Sequence, residues 1–379
     1  MDTIFLDAPN LGKLEKQYLL KCVDSTFVST AGPFIPEFEE KFATFVGTKR
    51  AVSTQSGTAA IHLSLSELSV GPGDEVIVPV ITFIASVNPI VYLGATPVFV
   101  DIDPSSWNMI PEQVEKAITK KTKAIIPVHI YGNPCDMDAL TEISERYGVT
   151  MLEDATESLG ASFHGRMTGT FGSMACFSFN GNKIITTGGG GMITTNDEKL
   201  ADHMKFLVNQ ARDESKGYYH PEIGFNYRMT NLEASLGLAQ FERLPEFLQK
   251  KRRYMEIYRE MLTGVKGIEF QEEYPDSISS WWLSSIKINH PSKDIPQIQK
   301  ELKEKGIPTR RIFVPITEFP PYAKYKKEGY PNSYELYEKG LNLPSSTLND
   351  QNAILYVARV LMSIIVNNRG EISDFHFER

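Results

Sequence analysis

Through its first two thirds the chain alternates short apolar runs, rich in Val and Ile, with stretches whose apolar residues recur every three or four positions. The first pattern predicts strands over 51–54, 75–79, 97–101, 124–128, 149–152, 175–179 and 192–195. The second predicts helices over 58–68, 84–92, 111–118, 137–147 and 199–209. Strands apolar on both faces need helices above and below them, so the pattern predicts an α/β fold with a mainly parallel central sheet. From Asn231 to about Leu262 one long helical stretch follows, interrupted at Pro245, and its run Lys250-Lys251-Arg252-Arg253 reads as a solvated helix face. Beyond it a smaller α+β unit is predicted: a strand near 283–288, a helix over 295–305, a strand near 309–314 and a terminal helix over 350–367. The domain boundary is placed near Pro245, dividing residues 1–245 from residues 246–379.

Length agrees with that division, since 379 residues at ~150 per domain suggest two or three units. The balance of 39 basic against 47 acidic residues, net −8, with no long basic run, argues against a nucleic-acid partner or an anionic membrane surface. Cys22, Cys135 and Cys176 are widely spaced and odd in number, which suggests neither disulfides nor a zinc site and fits a reducing, cytoplasmic setting. The N-terminal residues are acidic where an export signal would be basic. Val76 to Val100 carries no charge, but Pro79, Pro89, Gly94 and Pro97 break it, so it reads as strand, turn, helix and strand, not as a membrane span.

Three places could carry chemistry. Ser56-Gly57-Thr58 stands between a strand and a helix, where free backbone N–H groups and the helix dipole favour a phosphate; a plain helix cap has the same signature. Asp154 ends a strand at the edge where open α/β sheets bind ligands; it requires a cationic partner, or else serves as a cap or structural ion pair. Lys183 is the one charged residue between Met167 and Asn196, and Gly188 to Gly191 follow it. A lysine so placed is either a loop tip or a buried amine whose depressed pKa makes it a nucleophile for imine chemistry, and the uncharged surroundings favour burial. The glycines fit neither a P-loop nor a dinucleotide fingerprint. A phosphate seat, an acid for a ring nitrogen and an amine for an aldehyde together describe pyridoxal 5'-phosphate. Phe83, beyond the strand 75–79, is placed to lie over a ring at the same edge, or else is a core aromatic. His62, His129, His164, His203, His220, His290 and His376 show no metal-ligand spacing, and no G-x-S-x-G occurs, so no metal is expected.

The strings Gln55-Ser56-Gly57-Thr58-Ala59-Ala60, Pro79-Val80-Ile81-Thr82-Phe83, Val128-His129-Ile130-Tyr131-Gly132, Glu153-Asp154-Ala155, Phe177-Ser178-Phe179 before Lys183, and Gly224-Phe225-Asn226-Tyr227-Arg228-Met229 resemble the DegT/DnrJ/StrS family of sugar aminotransferases. The match runs from about Ala8 to Leu348. It implies a fold-type I transferase, like aspartate aminotransferase, with a large cofactor domain, a smaller C-terminal domain and active sites shared within a homodimer. By position, Lys183 would bond to the pyridoxal aldehyde and Asp154 would hold the ring nitrogen. Ser56, Gly57, Thr58 and Ser178 would hold the phosphate, Phe83 would stack on the ring, and Asn180 would also bind the cofactor. Asn226 would reach the phosphate of the neighbouring subunit.

Two departures stand out. Glu157 occupies the place beside the ring where many relatives have Gln or His, preceded by Thr156 in place of Ala. Pro315-Ile316-Thr317 stands where many carry a His. The strings Asn180 to Gly188 and Tyr131 to Asp136 are similar to the legionaminic-acid branch, which implies an amino transfer from L-glutamate to a UDP-linked 4-keto-6-deoxy-N-acetylhexosamine through pyridoxamine 5'-phosphate. A GDP- or dTDP-linked keto sugar, as in perosamine synthesis, is the alternative. A related sugar dehydratase would have His in place of Lys183, and a non-catalytic binding module has little use for that amine.

Overall fold

The computed structural model describes residues 3–326 and 329–366. In chain order the first strands are β1 (Arg50–Thr54), β2 (Glu75–Pro79), β3 (Thr96–Val100), β4 (Thr122–Ile125), β5 (Thr150–Asp154), the short β6 (Ser162–Phe163) and β7 (Arg166–Met167), β8 (Met174–Ser178) and β9 (Gly191–Thr195). Later come β10 (Ile268–Phe270), β11 (Ser277–Ile278), β12 (Ser284–Ile288), β13 (Arg310–Arg311) and β14 (Gly340–Leu343).

Seven of these form the central sheet in the order β1-β9-β8-β5-β4-β2-β3. Only β9 runs against its neighbours; the pairs from β8 to β3 are parallel. Val76, Ile77 and Val78 of β2 are all fully buried, which is why the strand reads as a continuous apolar run and not as an alternation. A four-stranded antiparallel sheet, β10-β12-β14-β13, and a small sheet, β11-β6-β7, complete the set. The fold is α/β of the predicted class.

Helices α1 (Lys13–Asp24) and α2 (Phe34–Val46) precede the sheet, and neither is signalled in the predicted pattern. Helix α2 buries Phe38, Phe42 and Val46 in one core cluster with Phe177 and Phe179 of the β8 region. Helix α3 (Gly57–Glu67) leaves β1 directly. The predicted helix over 84–92 divides into a 3-10 turn, Ile84–Ser86, and α4 (Asn88–Tyr92), because Pro89 has no N–H to continue the ladder and its ring crowds the preceding turn. Next come α5 (Pro111–Ala117), α6 (Met137–Tyr147), α7 (Glu198–Val208), α8 (Asn231–Glu242) and α9 (Leu244–Leu262), the last two separated just before Pro245. The uncharged stretch Val76 to Val100 is strand, turn, α4 and strand, and among the described residues no helix is long and apolar enough to cross a membrane.

Around the second sheet lie α10 (Ile295–Glu304), α11 (Pro331–Lys339), which the pattern does not predict, and α12 (Gln351–Val366). The predicted end of the last helix, Asn367, lies outside the described residues, as do Met1, Asp2 and His376. The strand expected near 309–314 pairs only at Arg310 and Arg311; past them the backbone leaves the sheet, and Phe313 N–H donates to the Tyr131 hydroxyl. The reading of Lys250 to Arg253 as a solvated face is corrected. Four consecutive residues span a whole helical turn, so Lys251 points inward and is buried while Arg252 donates to the carbonyls of Gly160 and Ser279.

Candidate active site

Three connections at the carboxyl edge of the central sheet meet over one cavity of about 350 Å³. The first is the start of α3. Ser56 is extended and its hydroxyl accepts the Ala59 N–H at 3.1 Å, capping the helix. That leaves the N–H groups of Gly57 and Thr58 as the first free donors of the helix, with the positive end of its dipole behind them. Ser178, the last residue of β8, sits beside them: a Cβ on Gly57 would lie 2.9 Å from Ser178 Cβ. The glycine tetrad is explained here too. A Cβ on Gly191 would fall 2.6 Å from the Ser56 carbonyl, so only glycine lets β9 press against the turn that opens α3. Gly190, at φ +84°, has a backbone that L side chains rarely adopt.

The second is the end of β5. Asp154 is buried; one carboxylate oxygen accepts the Ser86 hydroxyl at 2.6 Å and the other the Thr156 N–H at 3.1 Å. Thr82 lies 2.7 Å behind Ser86, hydroxyl to hydroxyl, so the carboxylate is held by a chain of neutral donors. Among the described residues no ion pair joins it to a cation. A buried carboxylate so placed is matched by a cationic ligand edge.

The third is the connection from β8 to β9, which carries Lys183. Its side chain is 12% exposed, and its Nζ lies 3.9 Å from Glu157 Oε1. Burial lowers the Lys183 pKa, while Glu157, Asp154 and Asp7 act the other way. Burial likewise raises the Glu157 carboxyl to about 7 against the opposing charge of Lys183, and its Oε2 accepts the Tyr131 N–H at 2.7 Å. A neutral amine beside a cavity is the state that attacks an aldehyde.

Ser56, Gly57, Thr58, Phe83, Asp154, Glu157, Ser178, Asn180 and Lys183 all line this cavity. Phe83 is half exposed and stands 5.9 Å, centroid to centroid, from Phe313. Asn226 does not line it; it is exposed, paired backbone to backbone with Asn209. The residues present fit pyridoxal phosphate: a helix start with free donors for the phosphate, a buried acid without a cation for the ring nitrogen, and a desolvated amine for the aldehyde.

The remaining wall went unrecognised in the sequence. Trp282, Arg310 and Phe313 come from the segment of the four-stranded sheet, and Ser86 from the turn after β2. Arg310 is gripped in a fork by Asp7, at 2.7 and 3.2 Å, and Asn182 donates to the same carboxylate at 3.3 Å. Tyr131 stacks on Phe313 at 5.2 Å. The adjacent pair Trp281-Trp282, two of the chain's three tryptophans, was the available signal. His129, in the Val128 to Gly132 string, is buried against Glu153 at 3.2 Å and serves the core.

Residues 9–362 match the model of the DegT/DnrJ/EryC1/StrS aminotransferase family. The chain is 43% identical over 345 residues to GDP-perosamine synthase of Caulobacter vibrioides, covering 90% of this chain and 93% of that one. It is 40% identical over 350 residues to GDP-perosamine synthase of Escherichia coli O157:H7, covering 92% and 95%. Among solved structures it superposes on the PMP form of Spr1654 from Streptococcus pneumoniae, assigned as a sugar aminotransferase, with a TM-score of 0.92 and 27% identity over 97% of this chain and 98% of that one.

Proposed function

The chain belongs to the DegT/DnrJ/EryC1/StrS aminotransferase family of pyridoxal phosphate enzymes, and on that premise we propose that it moves an amino group from L-glutamate to the keto carbon of a nucleotide-linked 4-keto-6-deoxy sugar. The observation that carries the reading is the meeting of Lys183, Asp154 and the Ser56–Thr58 helix start in one cavity.

When bound, pyridoxal phosphate supplies an aldehyde that captures amines and a ring that draws off electrons. The helix start and Ser178 would hold its phosphate, Asn180 would contact the cofactor from the same cavity, and Asp154 would hold its ring nitrogen, favouring the protonated form. Phe83 and Glu157 would stand against the ring. Lys183 does the rest: its amine would be the attachment point for that aldehyde, and once the amino donor has displaced it, Nζ would take up the proton of the donor's α-carbon and return it to the carbon that was the aldehyde. The enclosed wall of Trp282 and Phe313 limits water at that atom.

The likeness to GDP-perosamine synthases supports a GDP-linked acceptor, while the strings around Asn133 and Asn182 support the UDP-linked N-acetylhexosamine of the legionaminic-acid branch. A panel of GDP-, UDP- and dTDP-linked keto sugars with glutamate separates the two. The transaminase reading itself is tested by incubating the protein with pyridoxal phosphate, reducing with borohydride and mapping the label; it falls if the peptide carrying Lys183 is unlabelled.

A homodimer belongs to the same proposal. It is supported by the position of Asn226, exposed and outside its own chain's cavity, near the exposed Tyr218 and Ile223. A cytoplasmic location is supported by three buried, unpaired cysteines, and a division into residues 1–245 and 246–379 by the separate four-stranded sheet.

A further inference from the structure

Two walls meet at Nζ of Lys183. One is Glu157, with Oε1 at 3.9 Å; the other is the face of Trp282, whose ring centroid lies 3.8 Å away. Each is fixed from behind. Glu157 Oε2 accepts the Tyr131 N–H, which Tyr131 directs inward from a left-handed backbone with φ 54°. Trp282 Nε1–H donates to the Asn182 carbonyl at 2.6 Å, while the Trp282 carbonyl accepts from the buried Lys251 at 2.7 Å and from the Ser345 hydroxyl at 3.3 Å. Neither wall is free to turn away.

We propose that Glu157 and Trp282 form a cradle for the free Lys183 ammonium, and that this cradle sets the pH above which Lys183 becomes a nucleophile. A carboxylate and an indole face both favour the charged form of an amine, and burial opposes them. The other charged and titratable groups facing the pair are Asp154 at the end of β5, Asp7 of the N-terminal segment, Arg310 of β13 and the Tyr131 hydroxyl. Glu157 is the strongest of those that oppose burial at Lys183. The inference deepens the transaminase reading and rests on it, since the protonation of Lys183 matters to function only where that amine attacks.

The test uses the full chain stripped of cofactor. Lys183 is labelled with trace acetic anhydride across a pH series and its peptide is quantified by mass spectrometry, in the parent, Glu157→Gln, Trp282→Leu and Trp282→Phe. Gln keeps an acceptor for Tyr131 N–H and removes the charge. The Glu157→Gln midpoint should move down by about one unit, giving roughly tenfold faster labelling below the parent midpoint. Trp282→Leu should shift it the same way by roughly threefold in rate, and Trp282→Phe should restore most of that. The proposal is overturned if either Glu157→Gln or Trp282→Leu titrates with the parent. Melting curves check that each variant folds; should Glu157→Gln fail to fold, the Leu and Phe pair decides alone. Labelling needs no cofactor, so a shifted midpoint without any borohydride-fixed label would retain the cradle and remove the transaminase, and the converse result would do the opposite.

Discussion

The floor of the cavity and its outer wall are built in different ways. On the floor, Ser56, Asp154 and Ser178 sit at strand ends or the first turn beyond, held mostly by partners a few residues away such as Ala59 and Thr156, with Ser86 from the turn after β2 as the distant exception at Asp154. The wall is assembled over long distances: Asp7 grips Arg310, Tyr131 stacks on Phe313, and Lys251 fastens the Trp282 carbonyl. The floor carries groups suited to bond making and proton transfer, whereas the wall carries aromatic faces and one cation suited to holding a substrate. Rate constants should therefore be lost on the floor and substrate affinity at Arg310 of the wall, whereas Trp282, whose ring faces Lys183 Nζ, belongs with the floor in its effect on rate.

The largest effect that would test this is Lys183→Ala, expected to lower kcat by ~10³-fold or more while the protein still retains pyridoxamine phosphate through the helix start and Asp154. Turnover with glutamate at the parent rate would remove the assignment of the floor. Asp154→Asn should come next, with kcat down by ~10²-fold and circular dichroism unchanged. On the wall, Arg310→Ala should raise KM for an anionic substrate by about tenfold and leave kcat within a few-fold; a loss confined to kcat would erase the distinction.

The smallest effect concerns stability. Burial lowers the Lys251 pKa from 10.5 to about 7. The folded state therefore favours the neutral amine, and its contribution, full above the unfolded value, is lost as pH falls through about 7. Lys251→Met should gain on the parent by a few degrees of melting temperature between pH 8 and pH 5, read by differential scanning fluorimetry; parallel curves would show that Lys251 does not titrate there.

The same contrast decides what was legible in the sequence. Strand ends follow from local apolar runs, and ligand sites of open sheets lie at those ends, so Ser56, Asp154 and Lys183 could be found one at a time and joined by chemistry. The wall could not. Nothing near Asp7 announces Arg310, because the pairing exists only after the N-terminal segment has packed beside the second sheet. The basic run at Lys250 shows the converse failure, in which composition described a surface while helical periodicity sent Lys251 inside. Helices α1 and α2 lay in the stretch before the first predicted strand and were not assigned.

The reversal of β9 has a mechanical result. A parallel crossover carries the chain away over a face of the sheet, but the segment from Asn180 to Gly190 leaves β8 and re-enters β9 on the same rim, anchored at both feet. Lys183 thus rides a short span whose two supports are stitched to each other. Extra residues inserted there would let that span sag and carry the amine away from the cavity.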